Sequence, residues 1–144
     1  MARNTDRRHT LATILAHIRI KPGMEKHFEE IAANLYAGTN EHETNVRRYE
    51  YWRGAEEGLY YTLLSFDDHN SFLVHQSSDH HEVAGAQLGE VMAGITLEWV
   101  DPIQSASPLA PTNMQDLPPG ASPLMERYHQ NLPAQVQEWW KPLR

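Results

Sequence analysis

Residues 11–20, LATILAHIRI, follow a strict two-residue alternation that restricts the possible folds of this chain more than any other segment. The even-numbered positions from Ala12 to Ile20 are all apolar, whereas the odd-numbered positions include His17 and Arg19. A period of two predicts a β-strand that buries one face. Such a strand needs partners in a sheet and a second layer that covers its apolar face.

The pattern changes to a helical one after the turn sequence KPG at residues 21–23. Pro22 has no N–H to donate to a neighbouring strand, and Gly23 permits a turn. From Phe28 onward, apolar residues recur with helical spacing and glutamate and lysine occupy the other side. This predicts an amphipathic helix that ends near Gly38.

The rest of the domain shows the same two periodicities, separated by turn and cap residues. The predicted elements are strands at residues 46–53, 59–66 and 95–100 and two helices. The first helix is short and capped by Asp67 or Asp68. The second runs from about His80 to Met92, with a cap in SSD at residues 77–79 and an end at Gly94. The turn GAEEG joins the first two of these strands into a hairpin. The order predicts an α+β fold, a ferredoxin-like split βαβ arrangement with one four-stranded antiparallel sheet.

Composition predicts three parts of the chain: an N-terminal extension at 1–10, the folded domain at 11–102 and a Pro-rich C-terminal arm at 103–144. Eight of the nine prolines follow residue 101. The arm also carries Trp139 and Trp140, whose large apolar surface needs a partner. We expect the arm to wrap over a neighbouring subunit, and the alternative is a mobile tail that docks on another protein.

Charge and residue content exclude several classes of function. A net charge of −7 argues against nucleic acid as a partner, because phosphate binding depends on clustered lysine and arginine. The absence of cysteine excludes disulfides, thiolate catalysis and cysteine zinc sites. No stretch reaches the roughly 20 apolar residues that span a bilayer, and the basic N-terminus lacks a secretory cleavage pattern. We therefore expect a cytoplasmic protein without membrane association.

Three short motifs occur in an order and spacing typical of a known family. They are KPG with a phenylalanine five residues later, an RYE segment before the hairpin, and an H-x-x-S-x-H box at His75, Ser78 and His80. Over about residues 11–102 the chain resembles the antibiotic biosynthesis monooxygenase family of dimeric α+β barrels, which includes cofactor-free quinol oxygenases.

The resemblance implies a monooxygenase that acts with molecular oxygen on a quinol-like or polyphenolic aromatic and requires no cofactor. The haem-degrading branch of this fold needs asparagine, tryptophan and histidine where this chain has Ala16, His75 and Gly85, so haem is not expected. Two alternatives remain open. One is a non-catalytic, small-molecule-binding or stress-associated dimer, and the other is a non-oxidative isomerase or lyase.

The sheet face opposite the predicted helices indicates a homodimer. Leu11, Leu15, Val46 and Trp52 are predicted to lie on this face and are too apolar to remain in water. We therefore expect two sheets to pack face to face into a dimeric α/β barrel.

His75 and His80 are the predicted catalytic residues, since an imidazole titrates near neutral pH and can accept a proton from a hydroquinone. The alternative is that they cap or pack the helix ends. Aromatic side chains suit a flat polyphenol ring, although they are also ordinary strand residues. The predicted substrate-binding residues are Tyr49, Tyr51, Tyr61 and Phe66.

A metal site at these histidines is the third reading, after a helix cap and catalysis. His75 and His80 lack the i, i+4 spacing of a helical zinc pair, and the chain has no H-E-x-x-H segment. Asp79 and Glu82 are the nearby residues that can add oxygen ligands. The sequence therefore predicts no metal.

Overall fold

The computed structural model describes residues 10–144, so the predicted N-terminal extension lies, except for Thr10, outside the described residues. The strands are β1 (Ala12–Ile20), β2 (Val46–Arg53), β3 (Leu59–Phe66) and β4 (Met92–Trp99). The helices are α1 (Glu25–His42), α2 (His69–Ser77), α3 (Asp79–Val91) and α4 (Pro123–Asn131), followed by a 3-10 helix (Glu138–Leu143). None of the described helices is long and apolar enough to cross a membrane.

The four strands form one antiparallel sheet in the order β2-β3-β1-β4, which confirms the ferredoxin-like prediction. The even-numbered residues of β1 are buried as predicted, because α1 and its apolar residues Phe28, Ile31 and Leu35 cover that face. The opposite face, which carries His17 and Arg19, is left without a covering layer over most of its area.

Two predicted boundaries are wrong. Helix α1 continues past Gly38 to His42, because Gly38 does not take up the left-handed conformation that ends helices. Helix α3 ends at Val91 and passes directly into β4, so Gly94 lies within the strand, opposite Arg19. A glycine predicts a helix end only when its backbone adopts a positive φ, which sequence alone does not reveal.

A register shift between Val46 and Arg48 corrects the predicted face of Val46. Val46 lies opposite Phe66 and packs against the core, whereas Arg48 lies opposite Ser65 on the other face. The irregularity adds one residue to β2, and one extra residue turns side chains to the opposite face of a sheet.

The arm folds back onto its own domain, which corrects the expectation that it needs a neighbouring subunit as its packing surface. Thr112 accepts a hydrogen bond from the Thr13 N–H at 3.2 Å and donates one to the Val100 carbonyl at 2.7 Å. These contacts cover Leu11, which therefore does not lie on an open face. Farther along, α4 packs against α2, and Met125, Ala134 and Trp140 are buried.

Candidate functional site

A cavity of about 720 Å³ lies between α1 and the edge of the sheet formed by β2 and β3. Its wall is mainly apolar and aromatic, and its polar groups are hydroxyls, two carboxylates and one guanidinium. The lining residues are Phe28, Glu29, Ala32, Ala33, Tyr36, Glu50, Tyr51, Trp52, Arg53 and Tyr60. Such a composition suits a flat organic molecule with a few polar substituents.

Glu29 forms the polar edge of this cavity. Arg53 donates to both of its carboxylate oxygens at 2.7 and 2.9 Å, and the Tyr60 hydroxyl donates at 2.6 Å. The hydrogen bond from Arg53, followed by that from Tyr60, lowers the pKa of Glu29 to about 2. Burial and the hydrogen bond to Glu29 raise the pKa of Tyr60 to about 12. Glu29 is therefore a permanently charged acceptor and a poor base.

Tyr51 and Tyr49 lead inward from the cavity wall. Their hydroxyl oxygens are 2.8 Å apart, with Tyr51 at the cavity and Tyr49 buried behind it. Burial raises the pKa of Tyr51 to about 12 and raises that of Tyr49 well above its usual range. Both tyrosines remain neutral near pH 7, so each hydroxyl can donate as well as accept a hydrogen bond.

Behind Tyr49 lies a cluster of Glu43, His75 and His80, called here the His-Glu cluster. The Glu43 Oε2 atom accepts from His75 Nδ1 at 2.9 Å and from His80 Nε2 at 2.5 Å. The side chains of His75 and Glu43 are only 1% and 6% exposed, and that of His80 is 18% exposed. The His-Glu cluster is thus almost completely removed from water.

The charge of the His-Glu cluster is set by opposing effects on Glu43. Burial raises the pKa of Glu43, but hydrogen bonds and charge from His75 and His80 outweigh it, and the net shift is downward. Burial, with the neighbouring His75, lowers the pKa of His81 to about 3, so this adjacent ring is neutral. Glu43 is therefore a buried carboxylate with imidazole donors on two sides.

The structure separates the predicted site residues into three locations. Of the predicted substrate-binding residues, only Tyr51 lines the cavity. Tyr49 and Phe66 lie behind it, each with its ring centre 5.1 Å from that of His75. Tyr61, which was also predicted to bind substrate, is on the opposite face of the sheet, with its ring 5.4 Å from that of His17, and it does not line the cavity. The reason is strand geometry, because successive residues of a strand point to opposite faces of the sheet.

His75 and His80, the predicted catalytic residues, both bond to the Glu43 carboxylate, but neither lines the cavity. The predicted caps are also present, since Ser78 accepts from the His81 N–H and donates to the His75 carbonyl at 2.7 Å. The carboxylate beside these two histidines is that of Glu43, not that of Asp79 or Glu82. Glu82 accepts the Tyr128 hydroxyl at 2.6 Å, and Asp79 is exposed.

Sequence reasoning missed Glu43 because it has no motif of its own. It is one of two glutamates in EHET at the end of α1, and only its extended backbone after His42 turns it inward. A possible signal was its position at a helix end, just before a strand that carries buried aromatic residues.

A model of the antibiotic biosynthesis monooxygenase family matches residues 12–87. A candidate antibiotic biosynthesis monooxygenase from Caulobacter crescentus CB15 is 24% identical, with 72% of this chain and 100% of that chain aligned at a TM-score of 0.63. For Rv0793 from Mycobacterium tuberculosis the identity is 18%, the shares 68% and 100%, and the TM-score 0.62. These similarities establish a shared fold. A search among curated proteins found no match.

Proposed function

This chain belongs to the antibiotic biosynthesis monooxygenase family, and we propose that it oxygenates a small hydroquinone or related polyphenol bound in the aromatic cavity. The observation that carries this proposal is the cavity of about 720 Å³ between α1 and β2. Phe28, Tyr36, Tyr51 and Tyr60 supply ring faces and hydroxyls that match a flat molecule with phenolic groups.

In the proposed reaction the hydroquinone first loses a proton, and its anion transfers one electron to molecular oxygen. The semiquinone and superoxide then combine to form a carbon–oxygen bond, and the peroxide loses water. One hydroquinone and one O₂ thereby yield one hydroxyquinone and one water, so the substrate supplies all the electrons. The protein's task is to hold the ring and to remove the proton.

We assign Tyr51 to hold the reacting phenol oxygen, since its hydroxyl is at the cavity and is paired with that of Tyr49. His75 is the proposed proton acceptor behind this pair. Its Nε2 atom is buried without a hydrogen-bond partner among the described residues, and its ring contacts that of Tyr49. His80 has a positioning role in this proposal, because it shares the Glu43 carboxylate with His75.

Oxygen uptake with a panel of hydroquinones, combined with ¹⁸O₂ labelling of the product, tests this function. Replacing Tyr51 by phenylalanine should lower kcat/KM by about tenfold or more, because the hydroxyl that meets the substrate is lost. Tyr61→Phe is the matched control, since this tyrosine lies on the other face of the same sheet, and it should leave turnover unchanged. Turnover that persists without oxygen would instead identify an isomerase or lyase.

We also propose that the chain forms a homodimer through the open face of the sheet. Leu15 and Leu63 lie opposite each other on this face, and Trp52 is 59% exposed. Apolar residues clustered on an uncovered sheet face are typical of an interface. Light scattering at micromolar concentration should show a dimer that Trp52→Lys weakens, and a monomeric parent protein would contradict the proposal.

A further inference from the structure

The proposed oxygenation uses His75 to accept a proton, but it does not account for the convergence of three donor side chains on one point in the His-Glu cluster. We propose that Glu43, His75 and His80 bind one divalent transition-metal ion. Each of these side chains offers one ligand atom, and the three atoms all lie within 4.8 Å of one another. Among the described residues, no other group of three histidine, aspartate or glutamate side chains converges in this way.

The distances in the His-Glu cluster are close to those that a metal ion requires. Ligand atoms at about 2.0–2.2 Å from an ion lie roughly 3 Å or more from one another. The separation of Glu43 Oε2 from His75 Nδ1 is already 2.9 Å, whereas its separation from His80 Nε2 is 2.5 Å. The second pair must open slightly, and His80, with an 18% exposed side chain, is the least buried of the three ligands.

The donor set selects the class of ion. Two imidazole nitrogens with one carboxylate oxygen suit Zn²⁺, Fe²⁺ or Co²⁺, whereas Mg²⁺ and Ca²⁺ prefer oxygen ligands alone. The Glu43 carboxylate supplies negative charge, which offsets part of the cost of placing a dication in a buried site. Ser78 Oγ, 3.1 Å from His80 Nε2, offers a further oxygen beside the site.

The fold positions these ligands before any ion arrives. Glu43 is the C-cap of α1, His75 lies in the last turn of α2, and His80 is in the first turn of α3. Gly38 permits the close approach of α1 and α3, because a Cβ atom there would lie 3.3 Å from the His80 Cβ. Ligands held on three helix ends have little conformational freedom left to lose on binding.

Metal binding has a consequence that rests on the proposed function. An ion on Nδ1 of His75 requires the ring proton to reside on Nε2, so the metal-bound imidazole cannot accept a proton there. Zn²⁺ should therefore inhibit hydroquinone oxygenation. Binding itself is measured without substrate, so failure of the metal site and failure of the oxygenation proposal are distinguishable.

The test is a titration of the full, untagged chain with Co²⁺, followed by visible absorption, and with Zn²⁺, followed by equilibrium dialysis. We expect one tightly bound ion per chain and the absorption bands of Co²⁺ with nitrogen and oxygen ligands. Glu43→Gln, which keeps the side-chain shape, should weaken binding by about 100-fold or more, because removing a ligand costs at least as much as removing its supporting partner.

His27→Gln is the matched control, since His27 is an exposed histidine with a carboxylate neighbour, Glu30, at 4.0 Å. It should bind Co²⁺ as the parent does. If Glu43→Gln fails to fold by circular dichroism, His80→Asn replaces it, because His80 is the least buried ligand. No bound Co²⁺ in the parent, or equal binding by the parent and the folded cluster variant, would overturn the proposal.

Discussion

At the scale of single residues, the site is a series of hydroxyls and rings in which burial sets the protonation state. Tyr49 and Tyr51 share a hydrogen bond of 2.8 Å, and burial keeps both phenols neutral. Glu29 is charged instead, because hydrogen bonds from Arg53 and Tyr60 lower its pKa. The cavity therefore presents neutral hydroxyl donors beside the Glu29–Arg53 ion pair and the Glu50 carboxylate, an arrangement that favours a neutral substrate with hydroxyl groups.

The tyrosines predict how stability depends on alkaline pH. The folded-state pKa values of Tyr49 and Tyr51 are raised above the unfolded value of about 10. The contribution of these two groups to the free energy of unfolding is therefore fully present below that pH. It is lost as the pH rises toward 12, the pKa of Tyr51. The free energy of unfolding should fall by up to about 1.4 kcal/mol per pH unit for each such group.

Urea unfolding at a series of alkaline pH values measures this loss. Tyr51→Phe removes one of the two ionisable groups, and the slope of stability against pH should become shallower. An unchanged slope would show that Tyr51 ionises normally in the folded protein.

At the scale of secondary-structure elements, the contact between α1 and α3 positions the His-Glu cluster. Gly38 of α1 meets His80 of α3, whereas no atom lies within 4 Å of a Cβ added at Gly85. Both glycines are inside helices, so both substitutions to alanine gain the same intrinsic helix propensity. Any difference in stability between the two alanine variants therefore reports how closely α1 and α3 approach each other.

We expect Gly85→Ala to stabilise the protein by about 0.5–1 kcal/mol. Gly38→Ala should gain less or become destabilising, because its methyl group must displace His80 by a few tenths of an ångström. Chemical denaturation of both variants gives the comparison. Equal stabilisation would show that the α1–α3 contact adapts without cost.

At the scale of the whole molecule, the C-terminal arm completes the fold. Arg144 donates to Asp101 at 2.7 Å, and the 3-10 helix places Trp140 against the domain. Trp140 is 9% exposed, whereas its neighbour Trp139 is 69% exposed. The two tryptophans are therefore unequal, although their sequence positions are adjacent.

Trp140→Ala should lower the free energy of unfolding by about 3–5 kcal/mol, because it removes a buried ring and leaves a cavity. Trp139→Ala is the matched control and should change stability by less than about 0.5 kcal/mol. Thermal melts at several protein concentrations complete the experiment. If the loss of stability in Trp140→Ala depends on protein concentration, the arm docks on another subunit instead of on its own domain.

The features that depend on local pattern could be predicted from the amino-acid sequence alone. The alternation of residues 11–20 predicted which face of β1 is buried, and Ser78 predicted where α3 begins, because periodicity and caps act between near neighbours in the chain. The family model confirms the resemblance that the KPG, RYE and H-x-x-S-x-H motifs indicated. These motifs are also local patterns, since each depends on the spacing of a few neighbouring residues.

Which of these residues form a site together depends on how the elements pack in three dimensions. The irregular register of β2 turned Val46 inward, the sheet placed Tyr61 away from Tyr51, and the end of α1 brought Glu43 to His75 across 32 positions of sequence. The surface on which the arm packs likewise depends on a long-range contact, the hydrogen bond from the Thr13 N–H to Thr112. Such contacts depend on long-range packing and strand register, and neither is encoded in a local pattern.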